Sequence, residues 1–234
     1  MALSPAKRHF IKASAALAAE TTPHGETVEG LPAYEQQLAQ LHQDRLRLSQ
    51  IQGNERKAEL KRELTPAYAP YVEGVLEAGQ GAQDEVLVTL MVWRIDTGDY
   101  QGALDIAEYV LAHNLSLPDR FERSSGCLVA EEIAEAALKA QKAKDSFDLE
   151  VLHRTIAITD DQDMPDEARA KLYLAAGRAT LEGLTLDNPG PAGKVQAGAD
   201  LLKRAIELHS MCGGKQAYDA AIKLQTKLAA LQGG

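Results

Sequence analysis

The sequence predicts an all-α protein, and three observations predict it. Ala, Leu, Glu, Gln and Lys are abundant while aromatics make up 5%, and unbranched side chains lose little rotamer freedom on a helix. β-Branched residues come in ones and twos and never alternate as a half-buried strand requires. Apolar residues recur at three- and four-residue spacing through most of the chain. With 234 residues, the chain can bury one substantial core or divide it between two helical subdomains.

The elements follow in order. Ser4 can accept a free N–H as N-cap, and Pro5 has no N–H to leave unsatisfied in the first turn. Ala6, Phe10, Ala13 and Leu17 then form one apolar face, with Arg8 and Lys12 on another and Lys7 beside them. Residues 21–32, with two Pro and two Gly, read as a flexible linker. A long polar helix is predicted over residues 34–64. Tyr34, Leu38, Leu41 and Leu48 give it a coiled-coil-like seam, so it is the candidate oligomerisation element. Leu46 and Ile51 lie off that seam, Gly53-Asn54 is a candidate break, and Pro66 and Pro70 end the helix.

Residues 82–96 and 101–113 predict a helical hairpin turned at Thr97-Gly98-Asp99. Val86, Leu90 and Trp93 share a face of its first helix, and Leu104, Ala107, Val110 and Leu111 a face of its second. Further helices are expected near residues 128–144, 149–159 and 165–183, then a loop at 187–191. The chain closes on a hairpin of residues 193–211 and 215–231. Leu201, Leu202, Ala205 and Leu208 face inward on its first helix, and Ala217, Ala221, Leu224 and Leu228 on its second. The hairpins at 99–113 and 194–228 have a tetratricopeptide-like look, but two units are too few for a stacked solenoid. Four segments result: a basic helix and linker (1–32), the long polar helix (33–72), an acidic helical core (73–187) and a C-terminal hairpin (188–234).

Charge divides the chain in the same way. The net charge is −9, yet residues 1–72 hold 9 basic and 8 acidic side chains, 73–187 hold 10 and 23, and 188–234 hold 6 and 3. An acidic middle repels phosphate, so any DNA contact belongs to the ends. No apolar stretch approaches the ~20 residues of a membrane span, and no signal peptide follows Lys7, Arg8 and Lys12. Cys127 and Cys212 read as two idle thiols in a reducing compartment.

Chemistry-bearing patterns are few. Asp44, Glu59 and Lys61 stand in the order of a metal-dependent nuclease set, but on a predicted charged helix rather than the strands that make such groups converge. Asp160, Asp161, Asp163, Asp166 and Glu167 fail the calcium-loop pattern at Pro165 and read as carboxylates at a helix start. The six His have no zinc-site spacing. Residues 190–194 (GPAGK) lack the glycine spacing of a phosphate loop, and Val195 stands where Ser or Thr would hold Mg²⁺. The residues predict no catalytic centre, metal or cofactor. The basic groups remain: Lys7, Arg8 and Lys12 in one cluster, and Arg45, Arg47, Arg56, Lys57, Lys61 and Arg62 in a second that Asp44, Glu55, Glu59 and Glu63 nearly balance; each is a candidate for DNA contact or a solvated helix face.

Four blocks carry a resemblance. Residues 4–10 (SPAKRHF), 79–99 (GQGAQDEVLVTLMVWRIDTGD), 163–172 (DMPDEARAKL) and 202–208 (LKRAIEL) resemble the gpM family of phage small terminase subunits, the second block most specifically. The resemblance implies a subunit that recognises viral double-stranded DNA at the cohesive-end packaging site. It implies delivery of that DNA to a large subunit carrying the ATPase motor, self-association into a ring, and a place in the host bacterial cytoplasm. Members are often called endonuclease subunits. Two alternatives stay open: a nuclease whose carboxylates meet only in the assembled terminase, and a helical scaffold that does not touch DNA.

Overall fold

A computed structural model describes residues 3–117 and 123–232. It holds eleven α-helices among the described residues: α1 (Pro5–Thr21), α2 (Pro32–Ser49), α3 (Asn54–Leu64), α4 (Ala69–Ala78), α5 (Glu85–Thr97), α6 (Tyr100–Ala112), α7 (Ser125–Ala143), α8 (Leu149–Thr159), α9 (Asp166–Leu181), α10 (Lys194–Leu208) and α11 (Lys215–Gln232). No strand accompanies them in that range, only an isolated bridge between Thr27 and Gln83. The fold is all-α, and it divides into two compact units, Met1–Ser125 and Gly126–Gly234.

In the first unit α1 starts as its sequence dictates, with Ser4 Oγ accepting from Lys7 N at 3.3 Å and Pro5 in the first turn. Its buried face is not the predicted one. Ile11, Ala15 and Ala19 turn inward, while Phe10 and Leu17 are 65% and 62% exposed and Ala6 and Ala13 are also exposed. The cause is close packing on α4. A Cβ on Gly74 would overlap the Lys12 carbonyl oxygen and lie 3.0 Å from Ala15 Cβ, so the contact requires small residues.

The predicted helix over residues 34–64 breaks at Gln50–Gly53 into α2 and α3, Gly53 serving as N-cap of the second. The seam is also corrected. Tyr34, Leu41 and Leu48 are buried in this unit's own core and Leu38 is half-buried, whereas the off-seam Leu46 is exposed. Heptad-like spacing marks an apolar stripe; here the stripe packs within the chain, α2 and α3 both lying on α5.

The hairpin of α5 and α6 forms as its spacing predicts. Asp84 caps α5 by accepting from Leu87 N at 2.9 Å, Gly98 ends it at φ 82° where a side chain would be strained, and Asp99 caps α6. Val86, Leu90, Leu104, Ala107 and Val110 are fully buried, and Trp93 meets Tyr68 edge-on at 6.2 Å between ring centroids.

Residues 21–32 are pinned rather than free. Gly25 N donates to Gly81 O at 3.2 Å, Gln83 N to Glu26 O at 2.7 Å and Val28 N to Gln83 O at 3.4 Å, and Val28 is buried. The Gln83 side chain continues the tie, donating to Ser116 O at 2.9 Å and accepting from Ser116 N at 2.8 Å.

Asp84 is fully enclosed. Burial pushes its carboxyl up to about 6, against the pull of hydrogen bonds from Tyr71 and the α5 backbone; Tyr71 Oη donates to it at 2.6 Å. Its folded value lies above the ordinary 3.8, so folding takes up a proton between the two. Stability from this residue is therefore greatest at low pH and falls as pH rises from about 4 to 6, by about 3 kcal/mol in all. Asn caps as well as Asp without ionising. Asp84→Asn should thus gain on the wild type as pH rises from 4.5 to 7, measured by urea unfolding. Parallel pH curves for the two proteins would refute the assignment.

In the second unit α9 and α10 pack closely. A Cβ on Gly177 would lie 2.8 Å from Leu202 Cγ, and one on Gly198 2.5 Å from Leu181 Cγ. Leu174, Leu202 and Ala205 form one buried cluster, and Val195, Ala199 and Ala221 another. Lys171 joins α9 to α7 through Glu131 at 3.0 Å and Glu135 at 2.7 Å. Asp166 and Glu167 occupy the first turn of α9, where they favour the positive end of its dipole. Arg169 ties the preceding turn by donating to the carbonyls of Thr159 and Gln162.

Candidate nucleic-acid interface

The nine candidate cations belong to the first unit, and the fold sorts them by partner. Arg8 pairs with Glu73 at 4.0 Å and Lys12 with Glu77 at 2.8 Å, so α4 supplies a carboxylate to each. The hydrogen bond from Lys12 to Glu77 raises the lysine's pKa. Arg45 pairs with Glu85 at 2.5 Å and also donates to Thr89 Oγ1 at 2.7 Å. Arg47 meets the buried Asp44 at 3.1 Å, and Lys61 pairs with Asp96 on α5. Arg62 Nε donates to the Thr97 carbonyl at 3.2 Å, a partner that leaves its charge unneutralised. Lys7, Arg56 and Lys57 have no side-chain partner among the described residues.

Three of the four cations left without a carboxylate therefore share α3, an eleven-residue helix that follows α2 after a four-residue turn ending in glycine. Two helices joined by a short turn with Gly is the format of a helix-turn-helix. Asn54, Arg56 and Arg62 are exposed, Lys57 is half-buried, and nothing lies within 4 Å of a Cβ placed on Gly53, so the start of α3 is open to solvent. The sequence marked this break only through Gly53-Asn54, and it could not show which cations were already occupied. The α5–α6 hairpin also has this format, but it carries Asp84, Glu85, Asp96, Asp99, Asp105 and Glu108 against Arg94.

The nuclease-like trio does not converge. Asp44 accepts from Tyr68 Oη at 2.7 Å inside the core, Lys61 lies 6.0 Å from the Trp93 ring centroid, and Glu59 is exposed. Among the described residues no three of His, Cys, Asp and Glu gather as metal ligands, and no helix is long and apolar enough to cross a membrane. Gly193 precedes α10 at φ 83°, with no side-chain cap there.

Comparison with known proteins decides the lineage. The family model for the phage small terminase subunit matches residues 38–167, from within α2 into the first turn of α9. The chain belongs to the phage small terminase subunit family. It is 41% identical over 213 residues to the "Terminase, endonuclease subunit" of Escherichia phage P2, covering 91% of this chain and 82% of that protein. It is 25% identical over 185 residues to the "Probable terminase, endonuclease subunit" of Haemophilus phage HP1, covering 74% and 63%. No solved structure matches. As a terminase small subunit the chain has a role in phage DNA packaging. The matched region includes α3 and all six cations of the second cluster, whereas Lys7, Arg8 and Lys12 lie before it.

Proposed function

We propose that this small terminase subunit binds double-stranded viral DNA at the packaging site and delivers it to the large subunit, whose ATPase motor fills the capsid, and that it does so as a homo-oligomer. The carrying observation is the placement of the unneutralised cations: in a chain of net charge −9, Arg56, Lys57 and Arg62 share one helix, with Lys7 on α1. Lysine and arginine side chains on phosphates dominate DNA affinity and make it salt-dependent. In this reading the exposed start of α3, with Asn54 and Arg56, is the part that would meet base edges.

Binding to duplex DNA should be measured across a salt series with the full chain. Each lost phosphate contact removes about 0.9 from the slope of log affinity against log salt. Arg56→Ala with Lys57→Ala and Arg62→Ala should flatten it by two to three such steps, and Lys7→Ala by one more. Arg8→Ala with Lys12→Ala should do less, because α4 carboxylates already occupy those two side chains. Absence of DNA affinity at low salt would favour a pure scaffold. Mg²⁺-dependent nicking by the isolated chain would favour the endonuclease reading.

A further inference from the structure

The turn between α4 and α5 sets two imidazoles side by side. Gly81 is held from both directions, its N–H donating to Tyr109 Oη at 2.8 Å and its carbonyl accepting from Gly25 N at 3.2 Å. It has φ 88° and no side chain. A Cβ built on it would lie 2.5 Å from His113 Nδ1 and 2.6 Å from His24 Nδ1, so both ring nitrogens converge over the bare Cα. The rings stand 5.7 Å apart between centroids, tilted by 46°. His24 belongs to the strap of residues 21–32 and His113 is the C-cap of α6, so only the fold brings them together. Neither ring makes a hydrogen bond among the described residues, although His113 packs on the Tyr109 ring at 4.5 Å.

Converging imidazole nitrogens without other partners are ligands for a late first-row divalent metal. Zn²⁺ binds such nitrogens at about 2.0–2.1 Å with tetrahedral angles, which puts two ligating rings about 5–6 Å apart between centroids. The observed spacing matches. Tyr109 does not compete as an anionic ligand, because burial raises its pKa and the Gly81 N–H already occupies its oxygen. No third His, Cys, Asp or Glu joins the pair among the described residues, so water completes the coordination at the exposed His24 side.

We propose that His24 and His113 bind one divalent transition-metal ion of the Zn²⁺ class through their Nδ1 atoms, and that the ion staples the strap to the end of α6. The backbone bonds at Gly81 and Gln83 already hold the strap in place. The two ligands are thus aligned before the metal arrives, and binding costs little further ordering. An ion that binds only while both rings are in place stabilises that arrangement by mass action.

Zn²⁺ added to the metal-free full chain tests this by calorimetry, histidine-ring NMR and amide exchange. The wild type should bind one ion per chain and shift the ring signals of two of its six histidines, His24 and His113. His24→Ala and His113→Phe should each weaken binding by more than about tenfold, since even the outer partners of metal ligands are worth that much. Helical circular dichroism should stay unchanged, because no hydrogen bond is lost and Phe keeps the packing on Tyr109. With Zn²⁺ at about a hundred times its dissociation constant, exchange of the Gly25 and Val28 amides should slow by up to about a hundredfold. The variants should lose that protection. The NMR readout needs no variant and stands even if one folds poorly. Absence of binding overturns the site. Shifts at His9, His42, His153 or His209 in place of this pair, or affinity that survives both variants, mean an adventitious ion only and overturn it too. Binding at the pair with unchanged exchange at Gly25 and Val28 overturns the staple.

Discussion

Trp93→Ala should cost the chain about 3–5 kcal/mol of stability, the range for removing a buried indole. The ring is 5% exposed on α5, where it meets Tyr68 edge-on, and Lys61 of α3 approaches its face while pairing with Asp96. Removing it opens a cavity and also deprives α3 of the surface against which its cations are displayed. If α3 contacts DNA as proposed, the loss should extend to DNA binding at temperatures where the variant still folds. Trp93 is the only tryptophan, so unfolding has to be followed by far-ultraviolet circular dichroism rather than its fluorescence. With two units present, the transition assigned to residues 1–125 is the one to compare. A change below about 1 kcal/mol would mean that the ring is not packed as described.

Gly74→Ala should destabilise by about 1–3 kcal/mol, opposite in sign to the usual result. Within an exposed helix the same substitution normally gains about 1 kcal/mol through propensity. Here the new methyl would overlap the Lys12 carbonyl and sit 3.0 Å from Ala16 N and Ala15 Cβ. Two of those three atoms are backbone, so no side chain can swing aside and α1 itself must move. The Lys12–Glu77 and Arg8–Glu73 pairs should loosen with it. Gly53→Ala is the control, at a site with open space and ordinary φ. A neutral or stabilising Gly74→Ala would show that α1 and α4 are not in close contact.

The hairpin of α5 and α6 could be read from the sequence because its signals are local. Val86, Leu90 and Trp93 repeat at helical spacing, and Asp84, Gly98 and Asp99 mark the ends within a few residues. The face of α1 could not, because periodicity weights large side chains. Phe10 and Leu17 outrank Ile11, Ala15 and Ala19, although the small residues are the ones that let another backbone approach. The seam of α2 was visible as a stripe, but spacing does not say whether a stripe packs against its own chain or another copy. Which cations already have a carboxylate was hidden from the sequence for a related reason. Arg45 is neutralised by Glu85 and Lys12 by Glu77, partners far along the chain that only the fold brings near. The family resemblance rested on blocks outside this cluster, so Arg56 and Lys57 were legible only as part of a charged run and not as the cations left without a carboxylate.

The tie at Gln83 bears on the order in which the first unit assembles. One residue joins three stretches, bonding Glu26 and Val28 through its backbone and Ser116 through its amide. Each of these bonds closes a long loop, residues 26–83 or 83–116, and closure entropy is spent before such contacts return anything. The α5–α6 hairpin needs no such closure and should form early, with the Gln83 junction completing later around it. Residues before Pro32 are then the last of this unit to gain protection against amide exchange and the first to lose it. On a nascent chain the tie at residues 26–28 would accordingly stay unmade until Gln83 had cleared the exit tunnel.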